Sequence, residues 1–233
     1  VEEGVENVIL VDAGDWLQGD NAAYYYNYVD TEAEHLYARM VDHIGYDAVV
    51  VGNHDIETGH AVYDRLVKTM EVPFLAANAL RTDNGKPYFQ EYVTLKRHGL
   101  KITIIGFTNP NIKSWLSPLL WEGMEFESLI PFAQETVDRI VAKEKSDVVI
   151  AALHSGTGEG DGSSFSRVVI IDLIIQRILM RVIPIQKIIL LYMQTNYDKS
   201  LEIIPLVNVK NAIFVEQTVP VVIIKMKSII ISG

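Results

Sequence analysis

The sequence predicts an α/β fold with strands at least partly parallel, and three observations predict it. Up to about Ser166 short apolar runs alternate with longer amphipathic ones, the apolar residues of the longer runs recur at helical spacing, and several short runs end on polar residues beside glycine. Residues 7–12, 47–51, 101–106 and 147–153 read as buried strands. Residues 31–44, 57–70 and 127–145 read as helices. Leu36, Met40 and Ile44 share one helical face, and Thr31 with Glu34 has the form of a capping box.

Composition bounds the chemistry. With 233 residues the chain can bury one large core, and a net charge of −10 argues against a nucleic-acid polymer as partner, because such binding rests on clustered Lys and Arg. An acidic protein still holds a phosphate ester if cations supply the positive charge locally. There is no cysteine, which excludes disulfides, thiolate metal sites and cysteine nucleophiles, so any metal would be held by His, Asp, Glu or Asn. The N-terminal residues are acidic and lack the pattern of a signal peptide. Asp172, Arg177, Arg181 and Lys187 interrupt the most apolar stretch, 168–192, so no membrane span is expected and the protein reads as soluble.

The character changes after residue 166. Residues 167–233 lack His and Trp, have glycine only at Gly233, and hold eight Lys/Arg against four Asp/Glu. Two origins fit this change equally: a β-rich continuation of the same domain, or a tail that is not the natural continuation of residues 1–166, for instance through a shifted reading frame.

Three segments set possible ligands directly behind apolar strands, where open α/β sheets place their sites. They are Asp12-Ala13-Gly14-Asp15-Trp16-Leu17-Gln18-Gly19, Gly52-Asn53-His54-Asp55 and His154-Ser155-Gly156. Taken singly, Asp15 could cap a helix and His154 could be a structural histidine. Three adjacent polar side chains at the end of a buried strand are harder to account for unless they serve a site, because burying them unpaired is costly.

In these blocks the chain resembles the calcineurin-like metallophosphoesterases, and more closely their bacterial 5′-nucleotidase and 2′,3′-cyclic-nucleotide phosphodiesterase branch. Tyr24-Tyr25-Tyr26-Asn27, Glu57-Thr58-Gly59-His60 and Ala77-Asn78 also look like that branch, and the likeness covers about residues 7–160. It implies two packed mixed β-sheets flanked by helices, a four-layer sandwich, and a periplasmic or extracellular setting. It implies two divalent metal ions (Mn, Zn, Fe or Mg), with Asp15 bridging them and Asn53 and His154 as further ligands. His54 would face the phosphoryl oxygens or leaving group, oriented and kept charged by Asp55, while a metal-activated hydroxide attacks phosphorus. Nucleotides or related small phosphate esters are the implied substrates, and Asn78 and His60 are secondary candidates for contacting them.

Two family blocks have no counterpart in the numbered chain, an Asp-x-His before Asp15 and a Gly-His-x-His after His154. The chain therefore looks N-terminally truncated, and with Asp15, Asn53 and His154 alone it is expected to bind metal weakly and to hydrolyse phosphate esters slowly or not at all. The rival expectation is a binding module that keeps the fold but has lost part of its metal site.

Overall fold

The computed structural model describes residues 8–155, 187–193, 212–217 and 221–225. The glycine-rich 156–162, most of 168–192 and the boundary placed at 166 lie outside the described residues. In chain order the elements are β1 (Val8–Asp12), α1 (Asn21–Tyr28), α2 (Leu36–Ile44), β2 (Ala48–Val50), α3 (Asn53–Glu57), α4 (His60–Thr69), β3 (Phe74–Leu75), β4 (Ala79–Arg81) and β5 (Tyr92–Arg97). There follow β6 (Leu100–Phe107), α5 (Ile112–Trp115), a 3-10 turn at Pro118–Leu120, β7 (Met124–Phe126), α6 (Leu129–Glu144), β8 (Val148–Leu153), β9 (Lys187–Met193), β10 (Ala212–Gln217) and β11 (Val221–Lys225).

The strands form two mixed sheets, ordered β11-β1-β2-β3 and β10-β9-β8-β6-β5, and a separate antiparallel pair β4-β7. In the first sheet β1, β2 and β3 run parallel while β11 is antiparallel to β1, with Leu10 opposite Ile223. In the second, β6, β8, β9 and β10 run parallel and β5 returns antiparallel beside β6.

Alternation along the strands builds the layers, since successive residues point to opposite faces. Ile9, Val11, Ala48, Val50 and Leu75 of the first sheet meet Ile102, Ile104, Val148, Ile150 and Ala152 of the second, which makes the central core between sheets. On the opposite face, Val49 packs with Tyr37, Ala38 and Val41 of α2 and with Val62, Tyr63 and Leu66 of α4. The outer face of the second sheet, through Ile105, Phe107, Val149 and Ala151, receives Ala133, Val137 and Ile140 of α6. The order helix, sheet, sheet, helix is the four-layer sandwich that the family resemblance implies. Each fully buried Ile, Val or Leu in it stabilises the fold by about 2 kcal/mol.

Two helix boundaries differ from expectation. The helix predicted over 31–44 begins only at Leu36, and the Thr31/Glu34 capping box does not form. His35 is the N-cap instead, its Nδ1 accepting from the Tyr37 N–H at 3.1 Å. The preceding segment is held as a turn, with Asp30 Oδ1 accepting from the Ala33 N–H and the Arg65 guanidinium donating to the carbonyls of Tyr26, Asp30 and Thr31. The helix predicted over 57–70 begins only at His60, as α4, and Glu57 instead ends the short α3. Gly59 at φ +82° breaks the ladder between them, and the Thr58 hydroxyl donates to the Asp55 carbonyl.

His35 is the most consequential buried base of this layer. With Nδ1 accepting, Nε2–H donates to Asn27 Oδ1 at 2.9 Å, and Asn27 Nδ2 donates to the Leu17 carbonyl at 2.8 Å. Burial, assisted by the positive charge of Arg65, lowers the His35 pKa from 6.5 to about 4. A lowered folded-state value means that the unfolded chain binds the extra proton first. The His35 contribution is therefore fully present above pH 6.5 and is lost as pH falls through about 4. Urea unfolding should show stability declining between those two values by up to about 3 kcal/mol from this group. A His35→Gln variant should flatten that slope, and an unchanged slope would contradict the assignment.

Candidate metal centre

The three polar segments converge because their strands end at one edge of the sandwich. β1 and β2 belong to the first sheet and β8 to the second, so the centre straddles the layers. The crossing is made by His154. Its backbone N–H donates to the Phe107 carbonyl, its Nδ1 donates to the Ala13 carbonyl at 2.7 Å, and its Nε2 lies 3.0 Å from Asn53 Oδ1 and 3.4 Å from Asp15 Oδ1.

Close backbone approach makes this convergence possible. Gly14 has φ +99°, and a Cβ on it would sit 2.7 Å from the Gly52 nitrogen; a Cβ on Gly52 would sit 2.2 Å from Asp15 Oδ1. Asp15 itself takes φ +71°, a left-handed conformation that costs a non-glycine residue about 1–3 kcal/mol and persists only where surroundings enforce it. Asp55 supplies the enforcement. Its Oδ2 accepts from the Gly52 N–H at 2.7 Å and the Asp15 N–H at 3.0 Å, and its Oδ1 accepts from the Leu17 N–H at 3.2 Å.

The role expected of Asp55 is thereby corrected. The carboxylate is buried beneath the Asp15 loop, with both oxygens committed to backbone, whereas the partner of the His54 ring is Glu57, with Nδ1 and Oε2 2.6 Å apart. Residues three apart on a helix face each other and adjacent ones do not, so α3 brings position 57, not 55, beside His54. That spacing is readable in the sequence. The His54 backbone N–H also donates to Asp15 Oδ1 at 2.9 Å, and Gln18 Nε2 donates to Glu57 at 3.3 Å.

The two secondary candidates stand elsewhere. Asn78 is fully buried, and its amide is engaged by the Thr108 N–H, the Thr108 carbonyl and the Glu127 carbonyl, which ties β4 to the segment after β6. No polar atom of that amide is left for a substrate. His60 sits with Asp64 and Tyr88, its Nδ1 3.3 Å from Asp64 Oδ2 and 3.2 Å from the Tyr88 hydroxyl. Among the described residues no hydrogen bond joins it to Asp15, Asn53, His54 or His154.

Electrostatics at the centre favour a cation. Because Nδ1 donates to Ala13, His154 turns its Nε2 toward two oxygens that are themselves acceptors. Three acceptors turned toward one another repel unless a proton or a metal ion lies among them. The surrounding acids point the same way. Burial pushes the Asp12 carboxyl well above the usual range, with the negative charges of Asp55 and Asp15 adding to it. Burial and then the charge of Asp15 raise Asp55. One imidazole, one carboxylate and one amide oxygen suit a divalent ion such as Mn or Zn. Among the described residues no group of three or more His, Asp or Glu side chains could hold a metal ion, so this edge offers two such side chains, Asp15 and His154, with the Asn53 amide beside them.

No family model matches the chain. The chain is 30% identical over 118 residues to protein UshA of Escherichia coli, covering 51% of this chain and 22% of that protein. It is 28% identical over 167 residues to a 2′,3′-cyclic-nucleotide 2′-phosphodiesterase/3′-nucleotidase of Haemophilus influenzae, covering 66% and 25%. Among solved structures it is similar to the calcineurin-like phosphoesterase YfkN of Bacillus subtilis, at 26% identity and a TM-score of 0.61 over 78% of this chain and 57% of the other. A solved protein from Staphylococcus aureus shares the fold, with a TM-score of 0.66 at 17% identity over 91% of this chain and 41% of the other. The chain thus spans about a quarter or less of the curated relatives' length.

Asp55→Asn should lower stability in urea by about 2 kcal/mol, since one of three buried N–H groups loses its acceptor. A change below about 0.5 kcal/mol would contradict the clamp. Given the sandwich, the converging strand ends and these likenesses, the chain resembles the calcineurin-like phosphoesterases, and among them the bacterial 5′-nucleotidase and cyclic-nucleotide phosphodiesterase branch.

Proposed function

We propose that this chain is the metal-holding part of an enzyme that hydrolyses nucleotides or cyclic nucleotides outside the cytoplasm. The observation that carries the reading is the convergence of His154 Nε2, Asn53 Oδ1 and Asp15 Oδ1 from two sheets, with His54 beside them. Asp15, Asn53 and His154 would hold a divalent metal, and the family resemblance implies that Asp15 would be shared with a second one. Bound cations of this kind neutralise charge building on phosphoryl oxygens and make water a better nucleophile.

The chain's own residues do the rest. His54 has its Nδ1 fixed by Glu57, which sets the ring's orientation and leaves Nε2 with no protein partner among the described residues. From there it can donate a hydrogen bond to a phosphoryl oxygen or a proton to the leaving alkoxide, and the Glu57 carboxylate offsets the imidazolium charge while it does so. Asp55 acts one layer below, holding Asp15 in its left-handed conformation. Gln18 binds Glu57 and so links the Asp15 loop to the histidine.

The test is release of phosphate from a nucleoside monophosphate with excess Mn²⁺. Slow hydrolysis is expected that stops on chelation, returns with Mn²⁺, and falls at least about a hundredfold in His154→Ala. Glu57→Gln should lower kcat more than it raises KM. Activity that survives chelation, or that is unchanged in His154→Ala, contradicts the reading.

A further inference from the structure

The loop that carries Asp15 has a second buried anchor, Asp12. This residue ends β1, is fully buried, and its Oδ1 accepts from the Gly14 N–H at 2.7 Å. Gly14, at φ +99°, directly precedes Asp15, at φ +71°, so the bond grips the chain where it turns.

The other oxygen of Asp12 is placed differently. Oδ2 is buried and has no hydrogen-bond partner among the described residues, and the same holds for two buried donors, the Trp16 indole N–H and the Tyr37 hydroxyl. The Trp16 and Tyr37 rings stack, with centroids 4.8 Å apart and planes inclined by 29°. Both side chains act on Asp12 or feel it. Burial raises the Asp12 carboxyl, and the Gly14 bond and then the Trp16 N–H work against that rise, while burial and then the charge of Asp12 raise the Tyr37 phenol. Three buried polar atoms left unpaired side by side are costly, so a shared partner is expected. A cation does not suit them, because two of the three are donors. A water molecule does, since it can accept from the indole N–H and the phenol O–H and donate to the carboxylate.

We propose that Asp12, Trp16 and Tyr37 bind one buried water molecule and act through it as positioning residues for the metal ligand Asp15. The role rests on the metal-centre reading above and adds three side chains that touch no metal. Asp55 fixes the Asp15 N–H, whereas the water ties together the residues on either side of the Gly14–Asp15 turn and joins them to Tyr37 of α2.

Two measurements test this: amide hydrogen exchange without metal, and Zn²⁺ affinity by calorimetry. Tyr37→Phe and Trp16→Phe each remove one donor and keep an aromatic ring. Each should speed exchange at Gly14 and Asp15 at least about tenfold, leave Ile104 and Ile150 of the central core unchanged, and weaken Zn²⁺ binding by about tenfold. Circular dichroism checks that each variant folds. Added to Asp12→Asn, Tyr37→Phe should cost less than about twofold more, because the shared water has already lost its carboxylate acceptor. Unchanged exchange at both amides, an equal rise in the core, Zn²⁺ affinity untouched where exchange is faster, or full additivity with Asp12→Asn would overturn the proposal. Faster exchange confined to this loop, in a chain whose wild type binds no Zn²⁺, would support the water-held loop while overturning the metal-centre reading beneath it.

Discussion

The central constraint is that three hydrogen-bond acceptors are brought to one point by two different sheets. His154 ends β8, Asn53 follows β2, and Asp15 follows β1, so their meeting depends on how the second sheet lies against the first. The hydrogen bond from His154 Nδ1 to the Ala13 carbonyl locks that relation, because it crosses from one sheet to the loop of the other and fixes the tautomer. Packing between Val11, Val50, Ile104 and Ile150 sets the spacing. The glycines at 14 and 52 remove the side chains that would hold the loops apart. Such a cluster is stable only if something positive comes to rest among the acceptors.

Behind the centre lies a second layer that is polar, buried and committed to backbone. Asp55 spans Gly52, Asp15 and Leu17; Asn27 takes the Leu17 carbonyl; His35 orients Asn27 and caps α2. This chain of bonds runs from the strained residue to the N-terminus of a helix. Buried networks of this kind are stabilising only when their members are paired, and the pairing from Asp55 to Tyr37 is continuous. It gives a structural role to an unusually polar run, residues 12–35, behind an apolar strand.

Much of this is legible in the sequence, and the parts that are not have identifiable causes. The strand ends and the candidate ligands Asp15, Asn53 and His154 stand out because polar side chains and glycine directly behind a buried apolar run cost stability unless a site uses them. The start of α2 is hidden, because the competing cap at His35 draws on Arg65 and Asn27, which are distant or outside the local window. The break at Gly59 is masked by the apolar spacing on both sides of it. Asp55 misleads because adjacency in sequence is not adjacency in space. On α3 it is Glu57 that faces His54. Asn78 and His60 stand out by family likeness, and their partners, Thr108 and Glu127 for one and Asp64 and Tyr88 for the other, come largely from segments that only the tertiary fold brings near.

The most direct test is the protonation state of His154, read from ¹⁵N-edited NMR of the imidazole with and without Zn²⁺. The account predicts an Nδ1–H tautomer whose Nε2 resonance moves on adding Zn²⁺ and stays put in Asn53→Ala with Asp15→Asn. A doubly protonated His154 that is indifferent to Zn²⁺ would show that a proton alone reconciles the three acceptors, and would contradict the metal centre.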